Sequence, residues 1–137
     1  PMTISEKQAA LVDEFAFFDD WIDKYNHIIE MGKSLKPLSD EDKQEDLLVQ
    51  GCQSKVWLKA EKHGEAIKFW ADADAIIAKG IVAMLIDVFD EQQAVEIAQA
   101  DVGFIEEIGL KDQLSPTRAN GLMSMIKQMK IYAIAFA

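Results

Sequence analysis

The chain has 137 residues, half of them hydrophobic, and its 24 acidic and 14 basic residues give a formal net charge of −10. That length predicts one domain over residues 1–137, with about two-thirds of the unfolded surface buried on folding. The acidity argues against a nucleic-acid binder, whose phosphate contacts need clustered Lys and Arg, and no apolar run reaches the ~18 residues of a membrane span.

Cysteine usage and targeting signals bear on the cellular compartment. The single cysteine, Cys52, cannot form an internal disulfide, so the fold does not depend on oxidation. The chain also shows no basic and apolar leader of the kind that directs export. Both features predict a cytoplasmic protein, while the sequence leaves open whether it forms a homodimer.

Residues 5–33 carry a helical pattern, because apolar residues recur at intervals of four and three along one face. The recurring residues are Leu11, Phe15, Phe18, Ile22, Tyr25 and Ile29. Ser5 and Gln8 have the spacing of a capping box at the start, and Asp19–Asp20 favours a break into two helices. His27 is expected on the solvated side.

The middle of the chain predicts a small sheet. Residues 34–46 contain Pro37 and a run of charged residues, which is typical of a solvated loop. Three runs rich in β-branched and aromatic residues then indicate strands. These strands are predicted at 47–50, 54–61 and 66–71, and their short connections favour an antiparallel meander.

After the third strand the apolar period becomes helical. The first predicted helix runs from a cap at Asp72 or Asp74 to about Phe89, with Ile76, Ile77 and Ile81 directed inward. Two short helices are predicted to follow at 91–99 and 101–108, and Gly109 ends the second. The last helix begins with Ser115 at the N-cap and Pro116 at the first helical position. The fold class is therefore α+β, a small three-stranded antiparallel sheet packed against several helices.

Cys52 lies between the first two predicted strands, in a short polar connection that includes Gly51. The missing side chain at Gly51 allows another backbone or molecule to approach the sulfur. Free cysteines are more often small buried hydrophobic residues, so the residues alone leave two interpretations of similar weight. One is a structural cysteine, and the other is a reactive thiol presented on a hairpin tip.

Other site chemistries lack the residues that they need. One cysteine and two separated histidines cannot supply the ligands of a zinc site or an iron–sulfur cluster. There is no glycine-rich phosphate loop and no Gly-x-Ser-x-Gly elbow. His63 is predicted at the far end of the second strand from Cys52, which argues against a Cys–His nucleophile pair. We therefore expect no metal and no cofactor.

Arg118 is the only arginine, and it falls in the first turn of the last predicted helix. A positive charge opposes the helix dipole at that end. The residue either pairs with one of the many acids or serves an anion such as a thiolate or carboxylate. Residue chemistry alone favours the ion pair.

Four blocks of sequence occur in order along nearly the whole chain. They are Gln50–Trp57 (Gln-Gly-Cys-Gln-Ser-Lys-Val-Trp), Trp21–Tyr25 with Ile28–Gly32, Asp72–Gly80, and Leu114–Leu122. Together they resemble the SufE family of sulfur acceptors, which includes the paralogue CsdE. One departure is Thr-Arg-Ala-Asn-Gly over 117–121, where relatives often have Ser-Arg-Ser-Gln-Gly, so the role of Asn120 is open.

This resemblance implies that Cys52 accepts persulfide sulfur from a pyridoxal-phosphate-dependent cysteine desulfurase, SufS-like or CsdA-like, and stimulates that enzyme. The sulfur is then expected to pass to an iron–sulfur scaffold such as a SufBCD-like assembly. The implied active-site loop comprises Cys52 with Gln50, Gly51, Gln53, Ser54, Val56 and Trp57. The implied partner-facing residues are Asp74, Arg118 and Gly121.

Two other function classes are compatible with the residues. One is a regulatory binding module for a desulfurase with a structural, non-transferring cysteine, and the other is a thiol enzyme such as a peroxide reductase. The sequence does not decide which desulfurase is the partner, or between a SufE and a CsdE role, although Gln53–Ser54 is closer to SufE.

Overall fold

The computed structural model describes all residues, 1–137, as helices around a small sheet. The helices are α1 (Ile4–Ala16), α2 (Trp21–Lys33), α3 (Ile76–Phe89), α4 (Ala94–Gln99), α5 (Phe104–Ile108), α6 (Leu110–Gln113) and α7 (Pro116–Phe136). The strands are β1 (Val56–His63), β2 (Ala66–Ala73) and β3 (Gln92–Gln93). None of the helices combines the length and the apolar character needed to cross a membrane.

The sheet is antiparallel with strand order β1-β2-β3, which confirms the predicted α+β class and its three-stranded sheet. A two-residue turn at Gly64–Glu65 joins β1 to β2. Gly64 has a φ of +65°, as expected where a tight turn follows the twist of two strands. At the open end of this hairpin Val56 pairs with Ala73, and the chain leading into that end carries Cys52.

The strand predicted at 47–50 is wrong. Glu45–Leu47 instead forms one 3-10 turn, which is followed by a single bridge between Leu48 and Trp57. Pairing stops there because Gly51 takes a φ of +92° and turns the chain away from the sheet. The third strand is supplied by β3, within a segment whose sequence predicts a helix.

The predicted break between the first two helices is confirmed. The Asp20 side chain caps α2 by accepting a hydrogen bond from the Asp23 amide at 2.9 Å. The break also changes the helical phase, so the single apolar stripe predicted across both helices does not persist. Ile22 is 74% exposed, whereas Ile28 is fully buried.

The cap of α1 lies two residues before the predicted one. Thr3 and Glu6 form the capping box, in which each side chain accepts a hydrogen bond from the backbone of the other residue. The hydrogen bonds from Thr3 lower the pKa of Glu6. Ser5 lies inside the helix, and the Gln8 amide donates to the Asp101 carbonyl at 2.9 Å instead.

His27 does not lie on a solvated face, contrary to the prediction. Its ring is half-buried, 5.1 Å from the centroid of Phe15 and 5.0 Å from that of Phe18. Its Nε2 atom lies 2.9 Å from a carboxylate oxygen of Glu14. The end of α1 and the connection that follows it therefore cover the side of α2 that a single continuous helix would expose.

Two glycines allow α2 and α3 to cross at close range. A Cβ atom at Gly80 would lie 2.2 Å from the Ile28 carbonyl oxygen, and one at Gly32 would lie 2.8 Å from the Gly80 nitrogen. No side chain fits at either position without moving backbone. This crossing fixes the N-terminal half of α3, which contributes to the site described below.

Asp72 and Asp74 do not cap α3, contrary to the prediction. The N-cap is Ala75, whose side chain has no acceptor. Asp74 instead binds the end of the Cys52 loop, and Asp72 contacts the segment before that loop together with Lys79 of α3. The next predicted helix also starts later, because β3 comes first and α4 begins only at Ala94.

Most predictions for the C-terminal part are confirmed, but the helix predicted at 101–108 begins only at Phe104, and α6 was not predicted. Gly109 ends α5 with a φ of +88°, and the Ser115 side chain caps α7 by accepting from the Arg118 amide at 3.3 Å. The predicted apolar face of α7 is buried in the core. Its buried residues include Leu122, Met125, Ile126 and Met129.

Candidate functional site

The loop that carries Cys52 is tied to the fold at its two ends. At one end the Val49 amide donates to the Val56 carbonyl at 2.8 Å. At the other end the Lys55 amide donates to Asp74 Oδ1, and the Asp74 amide donates to the Lys55 carbonyl, both at 3.0 Å. Asp74, predicted as a helix cap and a partner contact, therefore secures the end of the loop.

Between these ends, segment 50–54 rests on the face of α7. Its one hydrogen bond joins Cys52 Sγ to the Gly121 carbonyl oxygen at 3.6 Å. The Cys52 side chain is half-buried, and this burial raises the pKa of its thiol. At rest the sulfur is therefore a sheltered thiol, less ionised at neutral pH than an exposed cysteine.

Cys52 opens into a cavity of about 180 Å³, of which 8 of the 13 lining residues are hydrophobic. The cavity is built from the Cys52 loop, the first turns of α3 and the first turns of α7. The lining residues are Cys52, Gln53, Ser54, Val56, Ala75, Ile76, Ile77, Ala78, Ile81, Thr117, Arg118, Gly121 and Met125. A mostly apolar recess beside one sulfur can exclude water from that sulfur.

The rim of the cavity carries an unpaired positive charge. Arg118 is exposed, and no carboxylate oxygen lies within 4.0 Å of its guanidinium group. The ion pair that residue chemistry favours is therefore wrong. The N-terminus of α3 also lacks a side-chain cap, and its first residues line the cavity. Both features suit an anion at the mouth of this recess.

The structure brings together only part of the predicted site. Gln53, Ser54, Val56, Arg118 and Gly121 line the cavity with Cys52. The other predicted residues lie beside the cavity. Gln50 and Gly51 belong to the loop, and Asp74 lies at the loop end. Trp57 lies on the outer side of β1, where the Lys43 ammonium is 5.7 Å from its ring centroid.

Several residues of the site were not singled out by sequence reasoning. Ile76, predicted to point inward, is 66% exposed at the cavity mouth. The signal available for it was its position in the first turn of α3, where a side chain need not follow the core-facing stripe. Ser124 was also missed, although a Cβ atom at Gly51 would lie 2.4 Å from its Oγ atom.

Asp72 forms a second polar centre at the same end of the hairpin, and it is only 3% exposed. Its oxygens accept from the Leu38 amide at 3.2 Å and the Ala73 amide at 2.8 Å. Lys43 and Lys79 lie 3.3 and 3.4 Å from the same carboxylate. Burial raises the pKa of Asp72, but these hydrogen bonds and the charge of Lys79 outweigh it and leave the pKa lowered.

No group of three or more His, Cys, Asp or Glu side chains is arranged to hold a metal ion. The chemistry that the site offers is that of one thiol in an apolar recess with a guanidinium at its rim. That arrangement suits a sulfur nucleophile which meets its reaction partner at the cavity mouth.

Comparison with known proteins identifies the family. The model of the SufE family, the Fe-S metabolism associated domain, matches residues 9–133. The chain belongs to the SufE family. An uncharacterized SufE-like protein of Rhizobium meliloti (strain 1021) is 39% identical over 125 residues, covering 88% of this chain and 89% of the relative. One from Rhizobium etli is also 39% identical over 125 residues, covering 88% and 84%.

A solved structure agrees with the fold. The solution structure of a hypothetical protein from Thermus thermophilus superposes with a TM-score of 0.77 over 94% of each chain, at 16% identity. At that identity the likeness concerns the fold alone. Membership of the SufE family, by contrast, connects this chain to iron–sulfur metabolism and confirms the resemblance found in its sequence.

Proposed function

We propose that this chain is a sulfur acceptor that takes persulfide sulfur from a cysteine desulfurase onto Cys52 and stimulates that enzyme. The observation that carries the proposal is the position of the sole thiol, in an apolar cavity with an unpaired arginine at its mouth, within a SufE-family fold. No other side chain in the chain offers a sulfur nucleophile.

The proposed step is a thiol exchange. The Cys52 thiolate attacks the outer sulfur of a persulfide on the desulfurase, and a new sulfur–sulfur bond forms. The bond between the two sulfurs of the donor persulfide breaks, and the donor cysteine leaves as a thiolate. The thiol proton of Cys52 is released before attack, so the donor thiolate can take up a proton in return.

The environment of Cys52 supports two stages of this step. Burial raises the pKa of the resting thiol, which protects it from stray reaction. The Arg118 guanidinium and the uncapped start of α3 favour a negative sulfur at the cavity mouth. Movement of the loop toward the mouth therefore exchanges a protected thiol for a reactive thiolate.

The partners follow from this chemistry. The pyridoxal phosphate that releases sulfur from free cysteine belongs to the desulfurase, SufS-like or CsdA-like, and the acceptor needs no cofactor of its own. The Cys52 persulfide then passes its sulfur to an iron–sulfur scaffold, SufBCD-like in the family to which the chain belongs. We place this exchange in the cytoplasm, where free thiols stay reduced.

The test is incubation with a purified desulfurase and free cysteine, followed by mass spectrometry of the acceptor. We expect the mass of one added sulfur atom, located on the peptide that contains Cys52 and removed by a reductant. Faster cysteine turnover without any added sulfur would instead indicate a regulatory module. If peroxide added to the same mixture is consumed with transient oxygen on Cys52, and no sulfur is transferred, the chain is instead a peroxide reductase.

A second measurement concerns the loop. If Cys52 reacts at the cavity mouth, segment 50–54 must leave its position on α7 when the desulfurase docks. Amide hydrogen exchange over Gln50–Ser54 is therefore expected to change in the complex. Unchanged exchange in a complex shown to be formed would contradict loop movement.

A further inference from the structure

The Cys52 loop lies on two small residues of α7. Gly121 and Ser124 are three positions apart and therefore share one face of the helix. Cys52 Sγ lies 3.6 Å from the Gly121 carbonyl oxygen. The backbone at Gly51 passes so close to Ser124 that an added Cβ atom would lie 2.4 Å from Oγ and 3.3 Å from the Ser124 Cβ atom.

This contact matters because little else holds the loop in place. The backbone of segment 50–54 makes no hydrogen bond to any helix or strand, and the segment's one hydrogen bond to α7 is the weak contact from Cys52 Sγ. Its position between the two tied ends therefore depends on close packing against α7. Contacts of this kind are sensitive to the addition of single heavy atoms.

Gly51 is one of the two residues that make this close packing possible. Its φ of +92° is a conformation that other residues rarely adopt, and its missing side chain leaves the space that the Ser124 hydroxyl fills. The other is Ser124, because its side chain is short. A longer side chain there would occupy the volume of the Gly51 backbone.

We propose that Ser124 is a positioning residue whose small side chain lets the Cys52 loop rest on α7. The volume at position 124 then sets the fraction of time that the sulfur spends at the cavity mouth. The consequence for sulfur transfer rests on the proposed function above, whereas the effect on thiol access does not.

The first experiment measures thiol access without any partner. The rate at which Ellman's reagent modifies Cys52 is compared in the wild type and in Ser124→Ala, Ser124→Val and Ser124→Leu. Ser124→Ala should react within about twofold of the wild type. Ser124→Leu should react roughly tenfold faster, since overpacking of a tight contact shifts an equilibrium by about that factor, with Ser124→Val between them.

Ala135→Leu is the matched control, because Ala135 is exposed on the same helix, about 16 Å further along its axis from Ser124, and the change adds volume away from the loop. It should leave the modification rate unchanged. Circular dichroism and amide exchange in β1 identify any variant that has lost its fold. If Ser124→Leu does not fold, the comparison of Ser124→Val with Ser124→Ala gives the same test.

A rescue provides the second arm. Gly51→Ala should also raise the modification rate, because its methyl group would meet the Ser124 hydroxyl. Adding Ser124→Gly to that variant removes the obstructing atoms and should lower the rate again. Backbone strain at position 51 is present in both proteins, so the difference between them reports the contact alone.

Equal modification rates in folded wild type and Ser124→Leu, or no relief in the double variant, would overturn the proposal. Sulfur transfer from a purified desulfurase separates it from the proposed function. Faster Ellman modification with no sulfur on Cys52 in any variant, including the wild type, would leave the role of Ser124 in place and refute the acceptor function.

Discussion

Two polar regions lie at the open end of the β1–β2 hairpin and differ in how fully their groups are satisfied. The buried Asp72 carboxylate accepts hydrogen bonds from two backbone amides and lies within 3.4 Å of two lysines. Segment 50–54 forms one weak hydrogen bond, and Arg118 has no acidic partner. The Asp72 carboxylate is therefore already bonded within the protein, whereas the Cys52 region presents a thiol, a guanidinium and an uncapped helix N-terminus to another molecule.

This difference separates stability from reactivity. A buried charge is tolerated only when it is paired and hydrogen-bonded, so the Asp72 centre fastens the segment before the loop to the sheet and to α3. The loop that follows is held mainly at its ends and by packing, so it can move at low cost. Changes in the Asp72 centre should therefore alter folding, and changes around Cys52 should alter transfer.

The largest expected effect comes from Cys52→Ser. Serine is nearly isosteric, so the free energy of unfolding should fall by only about 1 kcal/mol, while sulfur acceptance is abolished. Denaturation and mass spectrometry after incubation with a desulfurase measure the two quantities. An added sulfur atom on the serine variant would contradict the assignment of reactivity to the Cys52 region.

Asp72→Asn tests the opposite region. The amide keeps the shape but cannot pair with Lys43 or Lys79, and the free energy of unfolding should fall by roughly 2–3 kcal/mol. Urea denaturation measures this change, with Asp40→Asn as a control for an exposed carboxylate in the same segment. Sulfur transfer per folded molecule should stay near the wild-type level, and a selective loss of transfer would contradict the assignment.

The same carboxylate predicts a pH dependence. The folded pKa of Asp72 is lowered, relative to about 3.9 in the unfolded chain. Its contribution is therefore fully present above pH ~4 and is lost as pH falls through the folded pKa. The stability difference between wild type and Asp72→Asn should shrink below pH ~4, and a difference that grows on acidification would contradict this account.

Arg118→Ala is expected to act mainly on transfer. Loss of an unpaired surface charge should change the free energy of unfolding by less than about 1 kcal/mol. Transfer efficiency should fall roughly tenfold, the equivalent of about 1.4 kcal/mol. Initial rates with a desulfurase measure this, and Arg118→Lys shows whether charge alone suffices. Normal transfer in Arg118→Ala would contradict a role for Arg118 at the cavity rim in sulfur transfer.

The smallest expected effect is that of Asp74→Ala. It removes the acceptor of the Lys55 amide, an exposed hydrogen bond worth about 0.5–1.5 kcal/mol. Amide exchange at Lys55 should become several-fold faster, whereas Asp74→Asn keeps an acceptor and should not. If Asp74 contacts the partner through its charge, Asp74→Asn lowers transfer without faster exchange.

The local pattern of the sequence was sufficient for most of the helices and for the β1–β2 hairpin, although it missed β3 and α6. It failed at Asp72, which has the chemistry of a helix cap but meets Lys43 and the Leu38 amide, residues far away in sequence. It also failed at 47–50, where a β-like composition pairs through one bridge only.

The site could be predicted only in part for the same reason. The loop from Gln50 to Trp57 is continuous in sequence, so its resemblance to a family identified it directly. The cavity also draws on α3 and α7, and only their packing brings Ile76 to its mouth. A serine at 124 carries no signal of its own within a helix, since its role depends on the backbone that crosses it.

The most direct test of the acceptor function is a single-turnover transfer from a desulfurase that already carries a persulfide, with free cysteine removed. Sulfur on the donor and on the Cys52 peptide is followed together by mass spectrometry. The account predicts that donor persulfide disappears at the same rate as Cys52 persulfide appears, with a ratio of one to one. Loss of sulfur from the donor without its appearance on Cys52 would contradict it.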